Sequence, residues 1–443
     1  MTGEQTLLAR GTLGVLGSSL SLVLVSLRRL RALPIALFDR VVEGGLILSR
    51  LGLFVFVFLI LHLQVRGDIP TYYWDEARAV LHGGLPYRDY TSSYAPLHAF
   101  LDAGLLHLWY SPLILVLLAI VAEWAVLPVW LSAGRKLFGE QELRTAALLY
   151  LASPLSLIFV AVDGQDNVVI GLLLAIAVAV LLRRREALSG LAVGVAASAI
   201  KFLPLLFTPL FFFATPRRWR WAAGFTAVAA VVYGTALALH LPITQPLTVE
   251  GNIRTAGNLP YLFEVSTGIV VPGRFWDGLV LLALAALFLF VARTVRNQGQ
   301  ATRILAITYA MPTVILTLVF LSKKGWPNYL MLVLFPLCLL ARRMSPRRMA
   351  LFTFFATVAV LEHSYWATML HQTDSSSAHQ FLLHHANTAA AWGLILGHVA
   401  LELLLIGGYC WLLVMALRAI AATPDHVAPV EAAASDGARL AAS

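Results

Sequence analysis

The residues of this 443-residue chain best suited to chemistry are a few charges stranded among apolar runs. Asp68 stands where a long apolar stretch ends, which pins it at a water–lipid boundary within reach of a lipid head group. Asp75, Glu76 and Arg78 follow it in the same polar segment. Lys201 lies inside an apolar stretch, Lys323 and Lys324 close another, and Arg254 sits in a later polar loop. One carboxylate facing several cations suits transfer of a group from a phosphate to a hydroxyl. The carboxylate takes the acceptor's proton as its oxygen attacks, and the cations meet the charge growing on the departing phosphate. Asp68 fits the base. Lys201, Lys323, Lys324 and Arg254 fit the phosphate grip, with His363, beside Glu362, as a further contact.

Each assignment has a plainer alternative. Asp68 could cap the next helix, the lysines could snorkel to the interface, and Asp75 and Glu76 suit the dipole of a first helical turn. Asp163 and Asp166 flank Gly164-Gln165 at the outer end of an apolar helix, where they could orient a substrate or form a polar turn. His379, His384 and His385, with Asp374 the nearest acid, have a spacing that does not put all three histidines on one helical face. No metal site is assigned, no cofactor is expected, and a divalent metal stays open.

Apolar helices must position these residues. Stretches long enough to span a bilayer occur at about 41–64, 113–133, 145–162, 219–240, 276–296, 304–322, 348–368 and 391–418, with shorter ones near 168–182 and 327–341. Between Arg185 and Arg217, two short arms meet at Lys201-Phe202-Leu203-Pro204, which predicts a hairpin carrying Lys201 at its tip. The total is about 12 membrane segments with both termini inside. Three polar loops then fall outside: Arg66 to about Ser111, His240 to about Arg274, and Trp366 to Asn387. The first is the longest, with a short helix predicted from Tyr72 to Leu81 and stopped by Gly83-Gly84. Residues 1–40 read as a cytoplasmic or interfacial segment, 41–418 as the membrane domain, and 419–443 as a disordered cytoplasmic tail. Whether residues 11–27 span is left open.

Composition agrees with this all-α polytopic reading. Hydrophobic residues make up 59% of the chain and charged residues 12%, too few to cover a soluble surface. The net charge of +9 comes in short clusters such as Arg183-Arg184-Arg185 and Arg217-Arg218 with Arg220, set between apolar runs. That is the positive-inside pattern of membrane proteins, and it argues against nucleic acid as a partner. Cys338 and Cys410 both fall in apolar helices, so no disulfide is expected.

Across residues 60–340 an ordered set of motifs carries a family likeness. The first is Asp68, Tyr72-Tyr73, Ala77-Arg78, Gly83-Gly84, Pro86-Tyr87 and Tyr94-Ala95-Pro96-Leu97. The second is Gly164-Gln165-Asp166-Asn167, then Gly190, Gly194 and Lys201-Phe202-Leu203-Pro204. The third is Lys324-Gly325-Trp326-Pro327-Asn328-Tyr329-Leu330. Together they resemble the GT-C glycosyltransferases, most of all the bacterial polyprenol-phosphate-mannose-dependent mannosyltransferases, and more distantly the catalytic subunit of the first GPI mannosyltransferase. The resemblance implies a GT-C-like bundle in a cell membrane, with a site on the periplasmic or extracellular side formed by the first outer loop. It implies a polyprenyl-phosphate sugar donor, mannose as the sugar moved, and a lipid or glycan acceptor. Asp68 would be the base, and Tyr72, Tyr87, Tyr94, Gln165 and Asp166 would meet sugar or acceptor. Ile69-Pro70 departs from the relatives' pattern after the early Asp and leaves Asp75 as a substitute base. A transporter or flippase of a lipid-linked substrate, and a non-catalytic scaffold, are the competing readings.

Overall fold

The computed structural model describes residues 3–251, 253–365, 379 and 389–423. Among them it is helical, with one isolated bridge between Pro86 and Tyr90 and no strand, the all-α polytopic membrane architecture expected. Helices α1 (Gly3–Ser26) and α2 (Ile35–Phe54, extended by a π turn to Ile60) form the first pair. The following loop folds into a π turn at Ile69–Tyr73, α3 (Trp74–Leu81) and α4 (His98–Leu106). Then come α5 (Leu113–Gly134), α6 (Glu140–Leu151), α7 (Pro154–Phe159), α8 (Asn167–Leu182), α9 (Glu186–Val195), α10 (Thr208–Ala214) and α11 (Arg218–Ala238). Two short helices, α12 (Gln245–Gly251) and α13 (Leu259–Thr267), precede α14 (Gly273–Thr294), α15 (Gln300–Leu321), α16 (Leu334–Ala341), α17 (Pro346–Tyr365) and α18 (Ala389–Ala421).

Seven of the described helices are long and apolar enough to cross a membrane, and four shorter apolar ones pack among them. Leu281, Leu282 and Leu289 of α14 point outward from the bundle, an apolar surface suited to lipid. α15 is buried almost throughout and packs against α10, α14, α16 and α18. The stretch 145–162, expected as one span, is broken at Ser153-Pro154 into α6 and α7. Proline tolerates the first turn of a helix but not its interior, so the chain restarts there.

α1 differs most from expectation. It is long and apolar enough to be a candidate span, and packs on α6, α7 and α17. Its Thr6–Arg10 end lies at the same end of the bundle as Asp68, whereas the expected topology puts them on opposite sides. At the other end, Arg144 donates to the Arg31 and Leu33 carbonyls at 2.6 Å each and anchors the turn into α2.

Between α2 and α5, Arg50 is fully buried against Glu123, at 3.1 Å, and donates to the Leu151 carbonyl at 2.8 Å and the Ser156 hydroxyl at 2.5 Å. Such a pair survives in an apolar interior only because every charge is answered. The α9–α11 contact depends on glycine. A methyl at Gly190 would fall 1.9 Å from the Trp221 carbonyl oxygen, and one at Gly224 would fall 2.0 Å from that of Ala187. Gly190 and Gly194 are therefore packing positions.

Candidate active site

A cavity of about 730 Å³ opens at the end of the bundle where the first polar loop lies. Asp68, half-buried, lines it together with Lys201, Lys323, Lys324, His363, Arg10 and Arg66. Tyr72, Tyr94, Gln165, Asp163, Asp277, Trp326 and Asn328 complete the polar wall. Phe202, Leu203, Pro246, Leu247 and Leu318 make the apolar wall.

Local structure explains how these side chains converge. The chain leaves α2, turns at Gly67 with φ +76, and tightens through the π turn that starts immediately after Asp68. Gly164, with φ +61, packs so closely that a methyl there would meet Ile69 Cδ1 at 2.5 Å. That contact fixes the Asp163–Asp166 turn against the Asp68 loop. Opposite them, α9 ends in a π turn at Ala196–Ile200, Lys201 is extended, and a 3-10 turn follows at Leu203–Phe207. The predicted break at Lys201–Pro204 is thus present, and the Ile200 carbonyl accepts from the Ala95 amide at 3.2 Å, tying it to the first loop.

Acids hold Lys201, Arg10 and Lys323. Lys201 Nζ donates to Asp166 Oδ1 at 2.5 Å and to Tyr73 and Asn167 oxygens at 3.3 Å each, and it lies 5.2 Å from the centre of the Tyr94 ring. Arg10 grips the Asp163 carboxylate with two nitrogens and donates to Ser364 at 3.3 Å. Lys323 donates to Asp277 at 2.9 Å, and Arg66 to Thr6 at 2.9 Å. Burial, reinforced by the charge of Lys201, brings the Lys324 ammonium down to about 8. Asp68 is approached by the Tyr73 hydroxyl at 3.4 Å.

Behind this wall lies a second layer. His98 stacks on Tyr94 at 4.5 Å and places Nε2 3.1 Å from Asp166 Oδ2. Burial would raise the Asp166 carboxyl, but Lys201 and His98 outweigh it and hold it well below the usual carboxylate range. Burial would lower His98, but Asp102 and Asp166 outweigh it and raise it. Burial pushes Asp102 up to about 6, and it pushes Glu76 up to about 7 despite a 2.8 Å bond from Ser92.

Several expected residues are placed elsewhere. Asp75 is exposed on α3 and does not line the cavity. Arg254 does not line it either; its guanidinium is taken by Glu264 and, at 3.0 Å, by the Val271 carbonyl. Tyr87 is buried, and its hydroxyl donates to the Tyr94 carbonyl, so it braces a wall residue without lining the cavity. Asp166 stands just behind the wall as the partner of Lys201. His379 binds the Val265 carbonyl at 2.7 Å through Nδ1, while His384, His385 and Asp374 lie outside the described residues. Arg10, Arg66, Asp277 and His98 are additions to the residues expected from the sequence, and Tyr73 of the Tyr72-Tyr73 motif joins them through Asp166. Of these only His98, four residues before Asp102 on a short helix, carried a readable signal.

A helical membrane protein whose cavity brings Asp68 together with Lys201, Lys323, Lys324, Arg10, Arg66 and His363 has the kinds of groups that transfer from a phosphate to a hydroxyl would use. Comparison with known families makes the class specific: residues 90–322, more than half of the chain, match glycosyltransferase family 87, and the chain belongs to that family. It is a membrane glycosyltransferase. The matched segment includes Tyr94, Gln165, Asp166 and Lys201 but begins after Asp68 and ends before Lys323. No curated protein matches the chain.

Proposed function

We propose that this glycosyltransferase draws its sugar from a polyprenyl-phosphate carrier and passes it to a hydroxyl of a lipid or glycan acceptor, with Asp68 as the general base. The observation that carries the reading is the shared cavity: Asp68 on one wall, Lys201, Lys323, Lys324, Arg10, Arg66 and His363 around it. The acceptor oxygen attacks the anomeric carbon and gives its proton to Asp68, while the bond from that carbon to the phosphate oxygen breaks. The carrier phosphate leaves with added negative charge, and Lys324, Lys201 and Lys323 stabilise it. Burial and the charge of Lys201 lower the Lys324 ammonium, and the charge of Asp68 opposes them. Bound phosphate would raise it again.

The wall of Phe202, Leu203, Leu247 and Leu318 suits the first isoprene units of a carrier whose tail stays in lipid. Tyr72, Tyr94 and Gln165 offer ring faces and an amide to sugar hydroxyls. Mannose is the sugar proposed, on the likeness described above. The arginine clusters at the far end of the helices support a cytoplasmic far end and an outer, periplasmic or extracellular, cavity. No observation favours a transporter. The test offers purified protein a panel of polyprenyl-phosphate sugars and nucleotide sugars with a lipid acceptor extract. Consumption of one lipid-phosphate sugar supports the reading; turnover of a nucleotide sugar alone defeats it.

A further inference from the structure

A second cavity, of about 790 Å³, shares no lining residue with the first. Four guanidinium groups line it, from Arg217, Arg218, Arg220 and Arg303, and no carboxylate does among the described residues. Arg217, Arg218 and Arg220 are exposed, so their charges are available to a ligand. Arg218 is steadied over the rings of Phe212 and Phe213 at 5.8 and 5.9 Å, and the Arg303 Nε is fixed on the Gln298 carbonyl at 2.9 Å. Two long helices, α11 and α15, begin at this cavity, and neither has a side-chain cap on its first turn. Their amide-rich ends add positive potential to the four arginines.

Position narrows the ligand. Two helices link this cavity to the catalytic one: α15 begins here and brings Leu318, near its end, to the catalytic cavity, while α14 brings Asp277 there near its start and ends four residues before Gln298. About 20 helical residues at 1.5 Å each separate the two cavities, roughly the thickness of a bilayer core. The second cavity therefore faces the other leaflet. Trp219 on its rim is 82% exposed, the setting of an aromatic ring at a lipid head-group layer.

We infer that this cavity binds the phosphate of an anionic lipid in the leaflet opposite the catalytic site. A phosphate diester with a net negative head group satisfies the guanidinium groups and helix ends at once. A zwitterionic head group brings its own cation into a pocket that has no carboxylate to receive it. Free phosphate shares the anion chemistry but lacks the lipid's attachment to the interface.

Native mass spectrometry of the purified full-length protein in neutral detergent tests this, with phosphatidylglycerol, phosphatidylcholine or inorganic phosphate added. The expected result is retention of phosphatidylglycerol at least tenfold over phosphatidylcholine, unaffected by millimolar inorganic phosphate. The double variant R217Q/R220Q, which changes only exposed side chains, should lose about tenfold in phosphatidylglycerol retention while its sugar transfer stays at the wild-type level. As a check independent of any variant, retention by the wild type should fall as salt rises. Equal retention of the two lipids, an unchanged double variant, or salt-independent retention would overturn the inference. Displacement of the lipid by inorganic phosphate would overturn its lipid assignment.

Discussion

Removing the charge of Asp166 should both loosen the fold and weaken the hold on the donor. Its Oδ1 lies 2.5 Å from Lys201 Nζ, and the two side chains are only 10% and 12% exposed. At an effective dielectric near 20, two unit charges at that separation attract by about 6–7 kcal/mol before desolvation is charged against them. Breaking one member of a buried pair costs about 3–5 kcal/mol, because the other charge is left unanswered. Asp166→Asn keeps the shape and one acceptor oxygen, so the lower end, about 3 kcal/mol, applies. In a chain of this size that is roughly 3–6 °C in the unfolding midpoint. The assay is a thermal melt in detergent followed by size exclusion. Lys201→Met paired with Asp166→Asn should recover at least about 2 kcal/mol of the summed single losses. The pair works at ordinary pH: Asp166 is held below its unfolded value, so its stabilisation is complete above about pH 4 and fades only as pH drops further. A midpoint for Asp166→Asn within 1 °C of wild type, or additive losses in the double variant, would show that the pair is not what fixes Lys201.

Further expectations follow from other contacts. Lys324 titrates near 8, and donor binding needs its charged form, so the donor KM should climb between pH 7 and 9. Lys324→Gln should raise KM at pH 7 and flatten that climb, read from KM against pH. Gly190→Ala should cost about 2 kcal/mol or more, since its methyl would meet the Trp221 carbonyl, whereas Gly234→Ala, with open space around it, should be neutral or slightly stabilising. Comparing the two melts decides whether backbone contact holds α9 on α11. Arg50→Ala should destabilise by about 3–5 kcal/mol, leaving Glu123 buried and unpaired, and Arg50→Met with Glu123→Leu should recover most of it, measured in the same melt.

Much of the architecture was readable because lipid imposes a length and a composition on each crossing. The long helices α5, α11, α14, α15 and α18 fall within a few residues of their apolar stretches. The break at Lys201 was readable too, because a proline and a lysine together are costly in an apolar run. α1 was not, because Glu4 and Arg10 blur its first turns; only the fold shows Arg10 neutralised by Asp163 from across the bundle. The split at Ser153-Pro154 was hidden inside apolar composition. Asp68, Lys201, Lys323, Lys324 and His363 were singled out by position or charge and do converge, though residue type could not reveal their neutralising acids. Arg254 and Tyr87 show the reverse: both had suitable chemistry, and both are spent on bonds inside the protein. Arg50 and Glu123 were overlooked because their mutual answer lies 73 positions apart.

The central claim is that Asp68 takes the acceptor's proton. Its most direct test is single-turnover sugar transfer from the carrier by Asp68→Asn beside Asp75→Asn, each first shown to melt like wild type. Asp68→Asn should lose about 10²–10⁴-fold, and Asp75→Asn should transfer near-normally. Transfer at the wild-type rate by Asp68→Asn, with loss in Asp75→Asn, would contradict it.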